Sequence, residues 1–284
     1  VASGVGTPEP RHHQGKFLVV YVVLAVILGA AVTLFLIQAI TSDSKATSSS
    51  QVAGGDGWSP WVPAGPTEAA ELNQIADHVG ARYRLPNGHQ LITVRGQLPS
   101  VVRQVGSQVN PVEVQSPVTS IAVPFDENGR LTYVVDSRLA IEFGLCGADS
   151  NCAIPPAEGP PTEERGQLLQ RAATELALYT FANLPAVEVV VAIWPADPGG
   201  GPTRLTYFDR SQMKDALSTP LAATLDPVNV PEMGSIPPGE LEQIHRYTGN
   251  FFSFRYQIQL DGQIQMVLQP VGSVDKIAAP AAGG

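Results

Sequence analysis

Thr162-Glu-Glu-Arg-Gly-Gln-Leu-Leu-Gln-Arg-Ala-Ala-Thr-Glu-Leu-Ala-Leu-Tyr-Thr-Phe-Ala-Asn183, then Leu184-Pro185, then Val187-Glu-Val-Val-Val-Ala-Ile-Trp194, is the stretch that decides the fold. Leu168, Leu169, Ala172, Leu176, Tyr179 and Phe181 predict a helix from Thr162 to about Asn183 with a wide buried face. Glu163 and Glu164 are first-turn acids that complement the helix dipole. Leu184-Pro185 stops it. The run Val187 to Trp194 is almost continuously apolar and bounded by turn residues, which fits a central strand covered on both faces.

Working outward, Arg204 to Asp209 returns as a second strand, and Ser211 to Leu217 reads as a short helix. Pro237-Pro-Gly-Glu240 starts a helix that runs to about Tyr247. Phe251 to Leu260 and Gln263 to Leu268 then flank Asp261-Gly262 as a hairpin. Ile258, Leu260, Ile264, Met266 and Leu268 alternate with glutamines there, so one face is wet and one buried.

Upstream, Thr67 caps a helix with Glu68 and Glu71 in its first turn. Leu72, Ile75, Ala76, Val79 and Tyr83 give it one apolar stripe, and Gly80 ends it. Arg82 to Leu85 and His89 to Val94 flank Pro86-Asn-Gly88 as a predicted hairpin. Val118 to Phe125 and Leu131 to Val135 flank a second Asn-Gly turn, and Leu139 to Phe143 adds a strand. Helix, strand, turn, strand recurs at 67–94, 162–209 and 239–268, without residue identity between the copies. The order predicts an α+β domain: a mostly antiparallel sheet with about three packed helices.

Phe17 to Ile37 is an apolar run without a charge between Lys16 and Asp43. A bilayer core of about 30 Å needs roughly 20 such residues, and a cleaved signal has a shorter core. The reading is one transmembrane helix over 17–40. Arg11 and Lys16 precede it, whereas Asp43 and Lys45 cancel, so the 1–16 tail is cytoplasmic and the rest lies outside. Ala25 and Gly29 form a small-xxx-small pair. Residues 41–57 are a Ser/Gly-rich tether with a reach of roughly 20 Å. The outer domain is expected over 58–271, with possible lobes 58–154 and 162–271 about the breaker Ile154 to Pro161. Residues 272–284 read as a frayed tail.

The formal net charge is −9. Of the acidic residues only Glu9, and of the basic only Arg11 and Lys16, precede Thr41, so the outer region is more acidic still. That argues against nucleic acid and against electrostatic docking on anionic lipid. Arginine outnumbers lysine but is scattered.

Cys146-Gly-Ala-Asp-Ser-Asn-Cys152 is the sharpest local feature. Both cysteines lie outside, where a disulfide is favoured, and the two-residue spacing of redox dithiols is missing. Trp58 and Trp61 bracket a Ser-Pro turn, either as a partner-contact surface or as indoles that clamp the first segment onto the core. His78, His89 and His245 are far apart in sequence, and none pairs with Cys or Glu at a metal-ligand spacing. No nucleophile elbow, Ser-x-x-Lys or His-Glu-x-x-His is present, and Gly199-Gly-Gly201 is a turn rather than a phosphate cradle. No cofactor, metal or catalytic residue is assigned.

The stretches Gly57-Trp-Ser-Pro-Trp61, Ile75-Ala-Asp-His-Val-Gly80, Tyr83-Arg-Leu-Pro-Asn-Gly-His-Gln-Leu91 and Leu145-Cys-Gly147 with Cys152 resemble uncharacterised single-pass membrane-anchored proteins of high-GC Gram-positive bacteria. The likeness covers most of the outer region and implies an anchored outer domain, with no activity attached. The expectation is a bitopic membrane protein that binds protein or envelope partners as a scaffold, accessory subunit or sensor ectodomain. The alternative is an extracytoplasmic hydrolase with dispersed residues, which requires a pocket gathering His89 or His245 with a carboxylate.

Overall fold

The computed structural model describes residues 57–107, 110–124, 132–148, 152–196 and 203–271. They belong to one compact unit, Gln51–Gly284. The expected cytoplasmic tail, membrane span and C-terminal tail, nearly all of the tether and the second Asn-Gly turn lie outside these residues. Among the described residues no helix is long and apolar enough to cross a membrane.

The domain is α+β. Its helices are α1 (Glu68–Gly80), α2 (Glu163–Asn183), α3 (Lys214–Ser218) and α4 (Pro238–Thr248). Thr67 caps α1 through the Ala70 N–H, and Thr162 caps α2 through the Arg165 N–H, which satisfies donors that each first turn leaves open. α1 buries Leu72, Ile75, Ala76 and Val79, the predicted stripe. α2 departs from expectation: it is buried nearly all round, and Gln170, Arg171, Thr174, Glu175 and Thr180 are covered along with its apolar face.

The strands are β1 (Thr93–Gln97), β2 (Ser100–Ser107), β3 (Asn110–Pro117), β4 (Ser120–Pro124), β5 (Thr132–Asp136), β6 (Ala140–Cys146), β7 (Val189–Ile193), β8 (Arg204–Asp209), β9 (Phe251–Ile258) and β10 (Ile264–Pro270). Eight form one sheet in the order β1-β6-β7-β8-β9-β10-β4-β5, and β2 with β3 makes a separate ribbon. Pairing is antiparallel except at β6–β7 and β10–β4. The breaker 154–161 lies between β6 and β7, which pair side by side, so the sheet runs continuously across both sequence lobes.

β7 is the predicted central strand, with Val189, Val190, Val191 and Ala192 buried. One of its faces meets α1 to α3, and the other forms a second core with Leu205, Phe252, Ile264, Met266 and Ile121. Tyr133 on β5 and Tyr207 on β8 bring their hydroxyls within 2.7 Å across this second face. In a flat sheet these strands stand roughly 19 Å apart, four spacings of about 4.8 Å. The sheet therefore curls over its second core. Val101, at the base of the ribbon, packs onto the same core.

Two local expectations change. The predicted 82–94 hairpin closes through the Asn87-Gly88 turn, with Gly88 at φ 82°, but carries one bridge, Arg84 to Gln90. Leu91 and Ile92 turn into the helical core instead, and the strand that follows pairs with β6. In the β9–β10 hairpin Ile264, Met266 and Leu268 are buried as read, whereas Ile258 and Leu260 are 63% and 111% exposed. Ile258 keeps the face of its partner Ile264, but β9 overhangs β8, which pairs only through Phe251 to Ser253.

Candidate functional site

A charged network sits beneath α1, α2 and α4. Glu175 on α2 accepts from Arg82 Nη1 at 2.8 Å, from Tyr83 Oη at 2.7 Å and from Arg171 Nη1 at 3.2 Å. Arg171, also fully buried, donates to Tyr83 Oη, to Glu240 of α4 and to the Asp226 carbonyl. Arg82 Nη2 donates to the Pro227 carbonyl at 2.8 Å. Two guanidiniums and two carboxylates balance in charge. Burial pushes the Glu175 carboxyl up while Arg171 and Arg82 pull it back; burial lowers Arg171, but Tyr83, Glu175 and Glu240 outweigh it and the net shift is upward. A network of this kind fixes how three elements meet.

Beside it, Trp58 is buried, donates from Nε1 to the Ala216 carbonyl at 3.4 Å and meets Tyr179 edge-on. Trp61 is half-buried and stacks on His78, with centroids 3.8 Å apart. Ser59 and Tyr179 share a hydrogen bond of 2.9 Å. Both indoles therefore hold the first segment of the domain against α1 and α2. Burial, with Arg82 alongside, pushes His78 down to about 4. The imidazole is neutral at pH 7, and its Nε2 accepts from Arg82 Nη1 at 3.0 Å.

The candidate site lies at the other end of α2. Leu85, Leu91, Ile92, Ile154 and Pro155 line a cavity of about 240 Å³, rimmed by His89 and Glu158 and walled by Thr93 and Ala148. His89 Nδ1 lies 2.7 Å from Glu158 Oε1, and Asn87 Nδ2 donates to Oε2 of the same carboxylate. These two partners hold the Glu158 carboxyl below the usual range. Glu158 is placed by Arg165 in the first turn of α2, which donates to the Glu158 and Gly159 carbonyls. The Glu158 carboxylate only accepts, so His89 Nδ1 carries the proton. In the neutral form of such a ring the second nitrogen, Nε2, is an acceptor.

The opposite wall depends on the cysteines. The Cys146 and Cys152 sulfurs stand 2.16 Å apart, at disulfide distance. Gly147 N–H donates to the Cys152 carbonyl, and a Cβ at Gly147 would meet the Ala153 carbonyl oxygen at 2.1 Å, so the close approach requires glycine. Ala148 and Ile154, which wall the cavity, each follow one cysteine by two positions. Thr93 Oγ1 donates to the Cys146 carbonyl at 3.2 Å.

Of the residues singled out in sequence, the structure thus joins His89 to a carboxylate and sets the cysteine loop beside it. It keeps Trp58, Trp61 and His78 in a separate cluster, and leaves His245 exposed on α4. Glu158 was missed because it reaches Asn87 and His89 only through tertiary contacts, and Arg165 because its role is to hold the Glu158 and Gly159 carbonyls; Asn87, two residues from His89, was read as a turn residue alone. Arg171 and Glu175 carried one signal, their i, i+4 spacing along α2. Among the described residues no group of three His, Cys, Asp or Glu could hold a metal ion. Comparison with known proteins finds no matching family model, no matching curated protein and no matching solved structure.

Proposed function

We propose that the chain is a membrane-anchored binding protein whose outer domain takes an extended segment of an envelope or membrane protein, seating one apolar side chain in the cavity beside His89. The observation that carries this reading is the make-up of that cavity: an apolar floor with the His89–Glu158 pair at its mouth. Its volume, about 240 Å³, falls below the roughly 300–1,000 Å³ of small-molecule and cofactor sites and suits one aliphatic or aromatic side chain. A backbone N–H beside that side chain would donate to His89 Nε2.

Burying such a side chain stabilises a complex by about 1.5–3 kcal/mol, and one hydrogen bond adds about 1. The cavity by itself therefore supports binding only in the millimolar range, where about 4 kcal/mol is needed. Confinement by the membrane run at 17–37 makes so weak a contact useful, since both partners share one surface.

The hydrolase reading gains support from the His89–Glu158 pair at a cavity. Against it, Thr93 is the only hydroxyl residue of that lining and its Oγ1 is committed to the Cys146 carbonyl. Binding is the better supported of the two. In-cell photo-crosslinking from Gln90 and Ala148 should recover one reproducible membrane or envelope protein, and His89→Ala should weaken its recovery several-fold. Adducts equally frequent from the exposed hairpin residue Leu260, or none from either cavity position, would refute the reading.

A further inference from the structure

The β2–β3 ribbon leaves the sheet through Leu98 and Pro99 and returns through Val118 and Thr119, with the Val118 N–H donating to the Pro99 carbonyl at 3.0 Å. Its base is thus a single hinge. Ser100, the first ribbon residue, is held there through its carbonyl, which accepts from Tyr256 Oη at 3.4 Å, and its backbone N–H favours the ionised form of Glu142. Gln97, the last residue of β1, donates to both Glu142 Oε1 at 3.0 Å and Ser100 Oγ at 3.1 Å.

Glu142 itself is 6% exposed, and its Oε2 has no hydrogen-bond partner. Around it, β7 presents Val189, Val191 and Ile193, β8 presents Tyr207, β9 presents Tyr256 and β2 presents Ser100. The nearest cation in register on that face is Arg95 of β1, which is exposed and pairs with Gly144 rather than Glu142. A carboxylate here is buried without a counter-ion, at the point where a two-stranded ribbon is fastened to the sheet.

We infer that Glu142 is a proton-operated latch for the ribbon: protonated, it keeps the base seated on the curled sheet, and ionised, it drives the base to lift until water reaches the charge. Burial pushes the carboxyl up to about 7, against the pull of the Gln97 and Ser100 hydrogen bonds. In a lifted ribbon the group returns towards its ordinary value of 4.5. The seated state therefore binds the proton more tightly. Rising pH shifts the balance to the lifted state, by up to roughly two orders of magnitude across the interval. Lifting uncovers Val101 and the apolar residues beneath it, including Val118 and Ile121. The surface that an outer partner meets would then depend on pH, independently of the His89 cavity.

Amide hydrogen exchange on the full chain in lipid nanodiscs, corrected for the intrinsic pH dependence of exchange, tests this. Protection at Thr119, whose N–H donates from the hinge to the Ile264 carbonyl of the sheet, should fall about 30-fold between pH 5.5 and 8.5, with a midpoint near 7, while α1 and β7 keep theirs. Glu142→Gln should hold the ribbon protected at both pH values. If that variant does not fold, the wild-type midpoint decides: a midpoint near 7 confined to the ribbon supports the latch. Ribbon protection independent of pH, a midpoint below 5, or an unchanged pH dependence in Glu142→Gln would overturn it.

Discussion

Arg171 is the largest fully buried side chain of the domain, and every donor direction it uses ends on Tyr83, Glu175, Glu240 or the Asp226 carbonyl. Removing one partner of such a network leaves a buried charge uncompensated, at a cost of about 3–5 kcal/mol. Arg171→Met should therefore destabilise the domain by that amount in urea unfolding, and adding Glu175→Gln should recover part of the loss. Equal destabilisation by the single and double variants would show that the charges do not act as a pair. His78 makes the second prediction at this scale. Its folded value of about 4 lies below the ordinary 6.5, so the stability it contributes is present above 6.5 and is lost as pH falls towards 4. Because the ring is only partly buried, the effect is worth at most about 1–2 kcal/mol after screening. His78→Phe should flatten the profile of urea midpoints over that window. Glu142 acts with the opposite sign: its contribution is present below 4.5 and fades as pH rises through 7.

At the scale of elements, the cysteine loop is the part with a chemical test. Cys146 and Cys152 face each other as a pair, and peptide mapping without reductant should find them linked. Free thiols in chain recovered from outside the membrane would refute the bridge. A loop this short constrains little of the unfolded chain, so Cys146→Ser with Cys152→Ser should cost about 2 kcal/mol or less. Its larger effect should fall on the cavity, whose wall residues Ala148 and Ile154 follow the two cysteines. The helices and most strands were legible at this scale because capping residues and apolar spacing act locally. Thr67 and Thr162 announced their helices, and the apolar run at 187–194 announced a covered strand. The 82–94 hairpin was over-read: its turn chemistry is present, but Leu91 and Ile92 gain more from the helical core than from a second ladder.

On the scale of the whole molecule, the sheet joins strands from both sides of the proline-rich breaker, so neither half can close a core alone. A truncated chain that starts near Gly55 should be soluble, monomeric and folded, with one cooperative unfolding transition. Aggregation, or two separable transitions with the break near residue 155, would refute the boundary. By contrast, further trimming past Trp61 should unfold the chain, because Trp58 and Trp61 seal Tyr179 and His78.

The sequence by itself determined the class of fold, the places where helices begin and end, the covered central strand and the pairing of two cysteines in one short loop. Each follows from interactions between residues a few positions apart. It also set the expectation of an anchored, acidic outer domain, through one apolar run and its flanking charges. Only the tertiary structure decided that Arg82, Tyr83, Arg171, Glu175 and Glu240 form one buried network, that His89 meets Glu158 at a cavity, and that Glu142 underlies the ribbon hinge. Those groups lie 45 to 93 positions apart across their long-range bonds, and local pattern carries no information about such encounters. Burial by distant strands and helices, rather than residue type, gives these polar side chains their altered chemistry.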